Sequence, residues 1–211
     1  MERVINKNNI CNDVFWNLKN KSTPINYSST LNWVTAYLGF LLTIIKFPLI
    51  FCLLQSLSDA SNYIHSTFLI LAFMALDVLD GEIFKLSTFA RTHWGGYRRI
   101  IDASGDRIAI LSAFTILTTS DAAPSIVLPI ILFKEILLAI VTIKPFIKKK
   151  IVLKTNTYSK LATTLIGFAA IFILNDQIFL SYLCLVSMLP LTYCSYKKYD
   201  SFNKVKWAKR Q

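Results

Sequence analysis

Four aspartates border two apolar stretches of this chain, in positions suited to holding cations or moving protons. Asp77 and Asp80 close the run Thr67–Leu76, with Gly81 next, and Asp102 and Asp106 precede the run Ile108–Ile116. On a helix, residues three or four apart share a face, so each pair would present two carboxylates in one direction. Ionised carboxylates beside hydrocarbon are costly and repel one another, so they need a cation, deep water or altered protonation. Divalent ions such as Mg²⁺, which prefer oxygen donors, meet that need directly. The simpler alternative is that the acids cap helix ends or face a wet vestibule. An acid suits a helix N-terminus, which would account for Asp102, but Asp77 and Asp80 would be unfavourable at a C-terminus.

The elements that must carry these residues follow from composition and charge. The chain has 211 residues, 54% of them hydrophobic, and a net charge of +11; its mean hydropathy is +0.49. That combination excludes an ordinary soluble domain and fits an all-α polytopic membrane protein with basic aqueous edges. Six apolar segments reach spanning length, at about 33–54, 64–84, 103–120, 123–143, 159–175 and 177–196. The connections holding Asp59, Asp121 and Asp176 contain no Lys or Arg. The alternate ones carry Lys85, Arg91, Arg98 and Arg99, then Lys144, Lys148, Lys149, Lys150 and Lys154. By the positive-inside rule this predicts six transmembrane helices with both termini in the cytoplasm. The expected organisation is a cytoplasmic segment over 1–32, a six-helix membrane domain over 33–196 and a basic tail over 197–211.

Both aspartate pairs would then lie at cytoplasmic helix ends, open to soluble substrates on one side and to lipid on the other. Residues 1–32 are polar and lead into a run of spanning length, so no cleavable signal peptide is expected. Within them, Val14–Leu18 could lie on the membrane surface as a short amphipathic helix or belong to a polar tail. Cys11, Cys52, Cys184 and Cys194 have no metal or redox spacing, and His65 and His93 have no partner spacing.

Taken together, Asp77-x-x-Asp80-Gly81 and Asp102-x-x-x-Asp106 resemble the signature of the CDP-alcohol phosphotransferases, integral-membrane enzymes that make phospholipids. Their pattern runs D-x-x-D-G-x-x-A-R, a spacer, then G-x-x-x-D-x-x-x-D. Weaker echoes follow in order: Asn32-Trp-Val-Thr35 at the first span, Lys134-Glu135 in the fourth, and Ser159-Lys160-Leu-Ala-Thr163 opening the fifth. The resemblance covers residues 24–200. It also has departures. Leu38 stands where an arginine is often seen. Phe84 and Lys85 replace the Ala-Arg dipeptide, which reappears as Ala90-Arg91. The 25 residues from Asp77 to Asp102 make a longer spacer, and Arg98 replaces a glycine. Lys85 keeps a positive charge but lacks the bidentate fork that suits a diphosphate.

The resemblance implies transfer of a phosphatidyl or related phospho-alcohol group from a CDP-linked donor to an acceptor hydroxyl, with CMP released, in the manner of phosphatidylglycerophosphate synthases. It implies Mg²⁺ or Mn²⁺ held by Asp77, Asp80, Asp102 and Asp106, with Asp106 also the general base. Gly81 would let cytidine approach closely, and Lys85 or Arg91 would hold the donor phosphates. Arg98, Lys134 and Lys160, together with Arg107, could form a basic pocket for a phosphorylated acceptor. Lys134 and Glu135 lie inside an apolar span, where ionisable groups are either functional or a pair tying helices together. Lys160 and Lys46 could each snorkel to the interface, although Lys46 lies deeper, beside Pro48, and could face the bundle interior. The implied partners are the CDP-linked donor, a small alcohol, membrane lipid and a second copy of the chain, with no nucleic acid. The implied location is a bacterial inner membrane with the site facing the cytoplasm.

Three other classes compete. A transporter would place its acids near the midplane, often with inverted repeats, and no repeat is visible here. An aspartate-rich membrane prenyltransferase would space its two acid motifs farther apart. A paralogue that binds CDP-lipid without turnover would accommodate the Phe84 and Lys85 departure.

Overall fold

A computed structural model of the chain describes residues 15–17, 30–59, 63–86, 95–149, 151–153 and 156–208. Six helices make up nearly all of it: α1 (Thr30–Ser58), α2 (Tyr63–Leu86), α3 (Gly95–Thr119), α4 (Val127–Lys149), α5 (Thr157–Leu174) and α6 (Ile178–Ala208). Two three-residue strands, β1 (Phe15–Asn17) and β2 (Ile151–Leu153), pair antiparallel and tie the N-terminal segment to the α4–α5 connection. Phe15–Asn17 is thus strand, which corrects the surface helix, one of the two readings of Val14–Leu18, the other being a polar tail. Phe15 and Trp16 have high strand propensity, and a partner strand satisfies their backbone groups without needing a lipid surface.

Helix contacts close a ring: α1 touches α2 and α3, α2 touches α5, α5 touches α6, α6 touches α4, and α4 touches α3. Phe114, Leu117, Ile131, Ile166, Leu185 and Met188 fill its centre and are essentially inaccessible. Small residues let the backbones come close; Ala162, Ala169 and Ala170 of α5 are buried, and Gly167 lies against the Met74 thioether of α2. Outside the ring, Phe51, Ile64, Phe68, Phe133 and Phe179 are each at least 60% exposed. A bundle with so many large apolar side chains turned outward is built for hydrocarbon surroundings, where helix association depends on close packing rather than on burial from water.

Among the described residues, four helices are long and apolar enough to cross a membrane, over Trp33–Ser58, Tyr63–Asp80, Thr157–Leu174 and Ile178–Asp200. The expectation of six spans meets α3 and α4 at their charges: Asp102, Asp106 and Arg107 in the first half of α3, and Lys134 and Glu135 in α4. Both helices turn charged groups inward, as α1 and α2 also do at Lys46 and Asp80.

Two acidic turns shape the same end of the ring. Asp121 and Asp176 have φ near +57° and +58°, the left-handed region where Asp and Asn are among the few tolerated non-glycine residues. After α5, the Gln177 amide donates to the Phe172 carbonyl at 2.8 Å and the Asp176 amide to Ile173 at 3.1 Å, so the turn satisfies carbonyls the helix leaves open. At the other end of α5, the Asn156 side chain caps the helix by accepting from the Ser159 amide at 2.8 Å. Its own amide donates to Ser195 Oγ of α6 at 3.0 Å.

Candidate functional site

The aspartates lie within helices rather than at their tips. Asp77 and Asp80 precede the end of α2 by two turns, and Asp102 follows the start of α3 by nearly two. Helix-end electrostatics fade within one turn, so the dipole does not account for Asp102. Along α1, Lys46 lies 12 residues before Ser58, about 18 Å from the α1–α2 turn.

At that level, α1, α2 and α3 bring their charged residues to one point. Lys46 Nζ is 2.7 Å from Asp77 Oδ1, 3.1 Å from Asp80 Oδ2, 2.7 Å from Asp102 Oδ1 and 3.9 Å from Asp106 Oδ1. The members of each pair share a face, as the i, i+3 and i, i+4 spacings predict, and the two faces meet at Lys46. Thr43, one turn before Lys46, donates from Oγ1 towards Asp80 Oδ2 at 3.2 Å and the Gly39 carbonyl at 3.0 Å. The cluster is graded in access: the side chains of Asp80 and Asp102 are 1% and 4% exposed, that of Asp106 is 23%, and that of Asp77 is 45%. The open side is thus lined by Asp77 and Asp106, while Asp80 and Asp102 form the floor. Gly105, between the α3 aspartates, faces the Phe47 ring of α1, and the Phe73 ring of α2 lies 5.9 Å from Lys46 Nζ.

The donor set suits a small hard cation. Asp77, Asp102 and Asp106 each offer a carboxylate oxygen within 4.8 Å of the other two, and all-oxygen donors of this kind fit Mg²⁺ or Mn²⁺. Lys46 Nζ lies among the same oxygens.

A second buried polar group joins α3, α4 and α5. Lys134 Nζ is 2.5 Å from Glu135 Oε1 and 3.4 Å from Thr163 Oγ1. Arg107 Nε reaches Glu135 Oε2 at 3.3 Å. Arg107 follows Asp106 directly, so one turn of α3 serves both groups. Within Ser159-Lys160-Leu-Ala-Thr163, Thr163 contacts this group, whereas Lys160 is exposed. Arg91 falls outside the described residues, as do the side chains of Lys85 and Arg98 and the surroundings of Gly81.

Sequence reasoning left Lys46 between lipid interface and interior, and it did not single out Thr43 or the Arg107–Glu135 pair. The signal for Lys46 was its charge in the middle of an apolar span. Thr43 carried none, because a threonine inside such a span commonly bonds back to its own helix, as Thr43 also does.

No curated protein matches the chain. The CDP-alcohol phosphatidyltransferase family model matches residues 33–194, a stretch that holds Lys46, all four aspartates and the Arg107–Glu135–Lys134–Thr163 group. The family transfers phospho-alcohol groups from CDP-alcohols in phospholipid synthesis, typically with a divalent metal, and the apolar helices agree with an integral membrane protein. Geometry and sequence thus converge on one conclusion: this chain belongs to the CDP-alcohol phosphatidyltransferase family.

Proposed function

We propose that the protein transfers a phosphatidyl or related phospho-alcohol group from a CDP-linked donor to the hydroxyl of a small alcohol, releasing CMP. Glycerol 3-phosphate is the first acceptor to try. The observation that carries this reading is the meeting of four carboxylates from two consecutive helices at one partly open point, within a chain of this family. Asp77, Asp80, Asp102 and Asp106 would hold Mg²⁺ or Mn²⁺, which when bound neutralises the donor diphosphate and polarises its phosphoryl oxygens.

The protein's own groups do the rest. Asp106 is the aspartate farthest from Lys46 and keeps a partly exposed side chain, so it is the group available to accept the acceptor's proton. As the acceptor oxygen bonds to phosphorus, its proton passes to the Asp106 carboxylate, and the phosphorus–oxygen bond to CMP breaks. Gly81 gives cytidine room, and Lys85 or Arg91 steadies the donor phosphates. Lys134, with Arg98 and Lys160, is the candidate set for a phosphorylated acceptor, and Arg107 links that set to Asp106 along α3.

This reading includes six membrane crossings, both termini in the cytoplasm, an inner-membrane location with the site facing the cytosol, and a homodimer. A cysteine introduced near position 60 should react with an impermeant reagent from outside the cell, and one near position 150 should not. The opposite pattern would reverse the orientation.

The decisive assay uses purified protein in detergent with Mn²⁺, CDP-diacylglycerol and a panel of glycerol 3-phosphate, serine, inositol and inositol phosphate. CMP release that depends on one acceptor and is lost in Asp106→Asn supports the proposal. A folded protein that releases no CMP from any pair would favour a donor-binding protein without turnover, a reading to which the lysine inside the acid cluster lends weight.

A further inference from the structure

Lys46 occupies a place the aspartate chemistry does not require. The residue is 3% exposed, and its ammonium is within 2.7 Å of one carboxylate from each pair, Asp77 and Asp102. Asp77, Asp102 and Asp106 are also the residues spaced to share a cation. An ion held by those oxygens and an ammonium already at hydrogen-bond distance from two of them would bring two positive centres into one small space. Their repulsion in a weakly polar interior is severe. Divalent binding and the observed position of Lys46 therefore exclude one another.

Displacing Lys46 has its own cost. Its helix is apolar, with Phe47 and Pro48 following and Ile44 and Ile45 preceding, and removing one partner of a buried ion pair strands the other charge. The displaced ammonium needs a new anion within reach of a flexible four-carbon stem. A nucleoside diphosphate entering with the metal supplies one. We propose that Lys46 is a tethered counter-ion that couples divalent-cation binding to nucleoside-diphosphate binding, holding the acid cluster until the two arrive together and then transferring to the diphosphate. This rests on the reading above that the donor is CDP-linked. By linkage the coupling is reciprocal: each ligand raises the affinity for the other by the same factor.

The test is Mn²⁺ binding followed by electron paramagnetic resonance, with and without CDP, in wild type, Lys46→Met and Lys46→Arg. Wild type should bind Mn²⁺ weakly alone and about tenfold or more tightly with CDP, the usual scale of such coupling. Lys46→Met should bind Mn²⁺ about tenfold more tightly than wild type without CDP and show little further gain. Lys46→Arg, which keeps the charge, should remain weak alone. The Mn²⁺–CDP complex formed in solution contributes equally to every protein, so differences between variants isolate the side chain. Mn²⁺ should also raise the melting temperature of Lys46→Met far more than that of wild type.

Wild type binding Mn²⁺ alone as tightly as Lys46→Met would overturn the coupling while leaving the metal site intact. Should Lys46→Met not fold, wild-type Mn²⁺ binding that is tight and indifferent to CDP overturns it equally. Absence of Mn²⁺ binding in every protein, with and without CDP, would remove the metal reading itself.

Discussion

Lys46 and Lys134 are almost equally buried, at 3% and 2% exposed, yet their surroundings have opposite charge balance. Lys46 Nζ meets four carboxylates from two helices. Lys134 meets one, Glu135, which Arg107 also engages. Among the described residues, the first group has acids in excess and the second has cations in excess. Burial alone therefore says little about what a buried lysine does. Carboxylates gathered in surplus attract more positive charge than one ammonium supplies, so that group is suited to taking up cations. Two cations sharing one glutamate are suited to bracing three helices, or to meeting a phosphate.

The largest effect expected from breaking this contrast is on chemistry. On the proposed mechanism, Asp106→Asn keeps the shape of the side chain but cannot accept the acceptor's proton, so CMP release should fall about 10³-fold, within the range for lost general-base catalysis. The melting temperature should change little, because Lys46 Nζ lies farther from Asp106 than from the other three acids.

Next comes stability. Glu135→Ala leaves Lys134 and Arg107 facing one another without their shared carboxylate, a loss of about 3–5 kcal/mol on the scale of a broken buried pair. Combining Glu135→Leu with Lys134→Met should restore most of the melting temperature, since an apolar pair no longer needs a counter-charge. In that double variant the KM for a phosphorylated acceptor should stay raised by about tenfold, the equivalent of one lost contact. An unchanged KM would leave Lys134 a brace and nothing more.

Smaller effects separate support from chemistry. Thr43→Val removes a donor to Asp80 and should cost about 1 kcal/mol, with at most about a tenfold fall in Mn²⁺ affinity measured beside CDP. Asn156→Ala removes the α5 cap and its tie to Ser195. It should lower stability by about 1 kcal/mol and leave Mn²⁺ affinity unchanged, because the residues of the acid cluster come from α1, α2 and α3.

Much of this fold was legible in advance because hydrocarbon is an unforgiving solvent. Backbone groups in it must be satisfied within the segment, so each apolar run of spanning length predicts a helix, and the six runs correspond to the six helices of the described residues. The largest mismatches are at α6, expected to end at 196 and running to Ala208, and at α3, expected from 103 and beginning at Gly95. Hydropathy marks only the part of a helix that lipid would cover, and the polar turn Tyr97-Arg98-Arg99 continues the same backbone pattern beyond it. The strand at Phe15–Asn17 was not legible either, because its partner, Ile151–Leu153, lies more than 130 residues away and strand pairing is a property of two segments.

The sequence by itself determined that four carboxylates would have to be reconciled with an apolar chain, and that each pair would share a helical face. Those conclusions follow from local periodicity and the cost of isolated charge. Only the tertiary structure decided that the two faces meet, that α1 closes the third side, and that Lys46 rather than solvent neutralises part of the cluster. The reason is geometric: spacing along a helix fixes direction, but which helices stand side by side depends on how the ring packs. The same packing set Lys134 and its sequence neighbour Glu135 against Arg107 and Thr163, whereas Lys46 has no acidic neighbour in its own segment and meets its carboxylates only across helices.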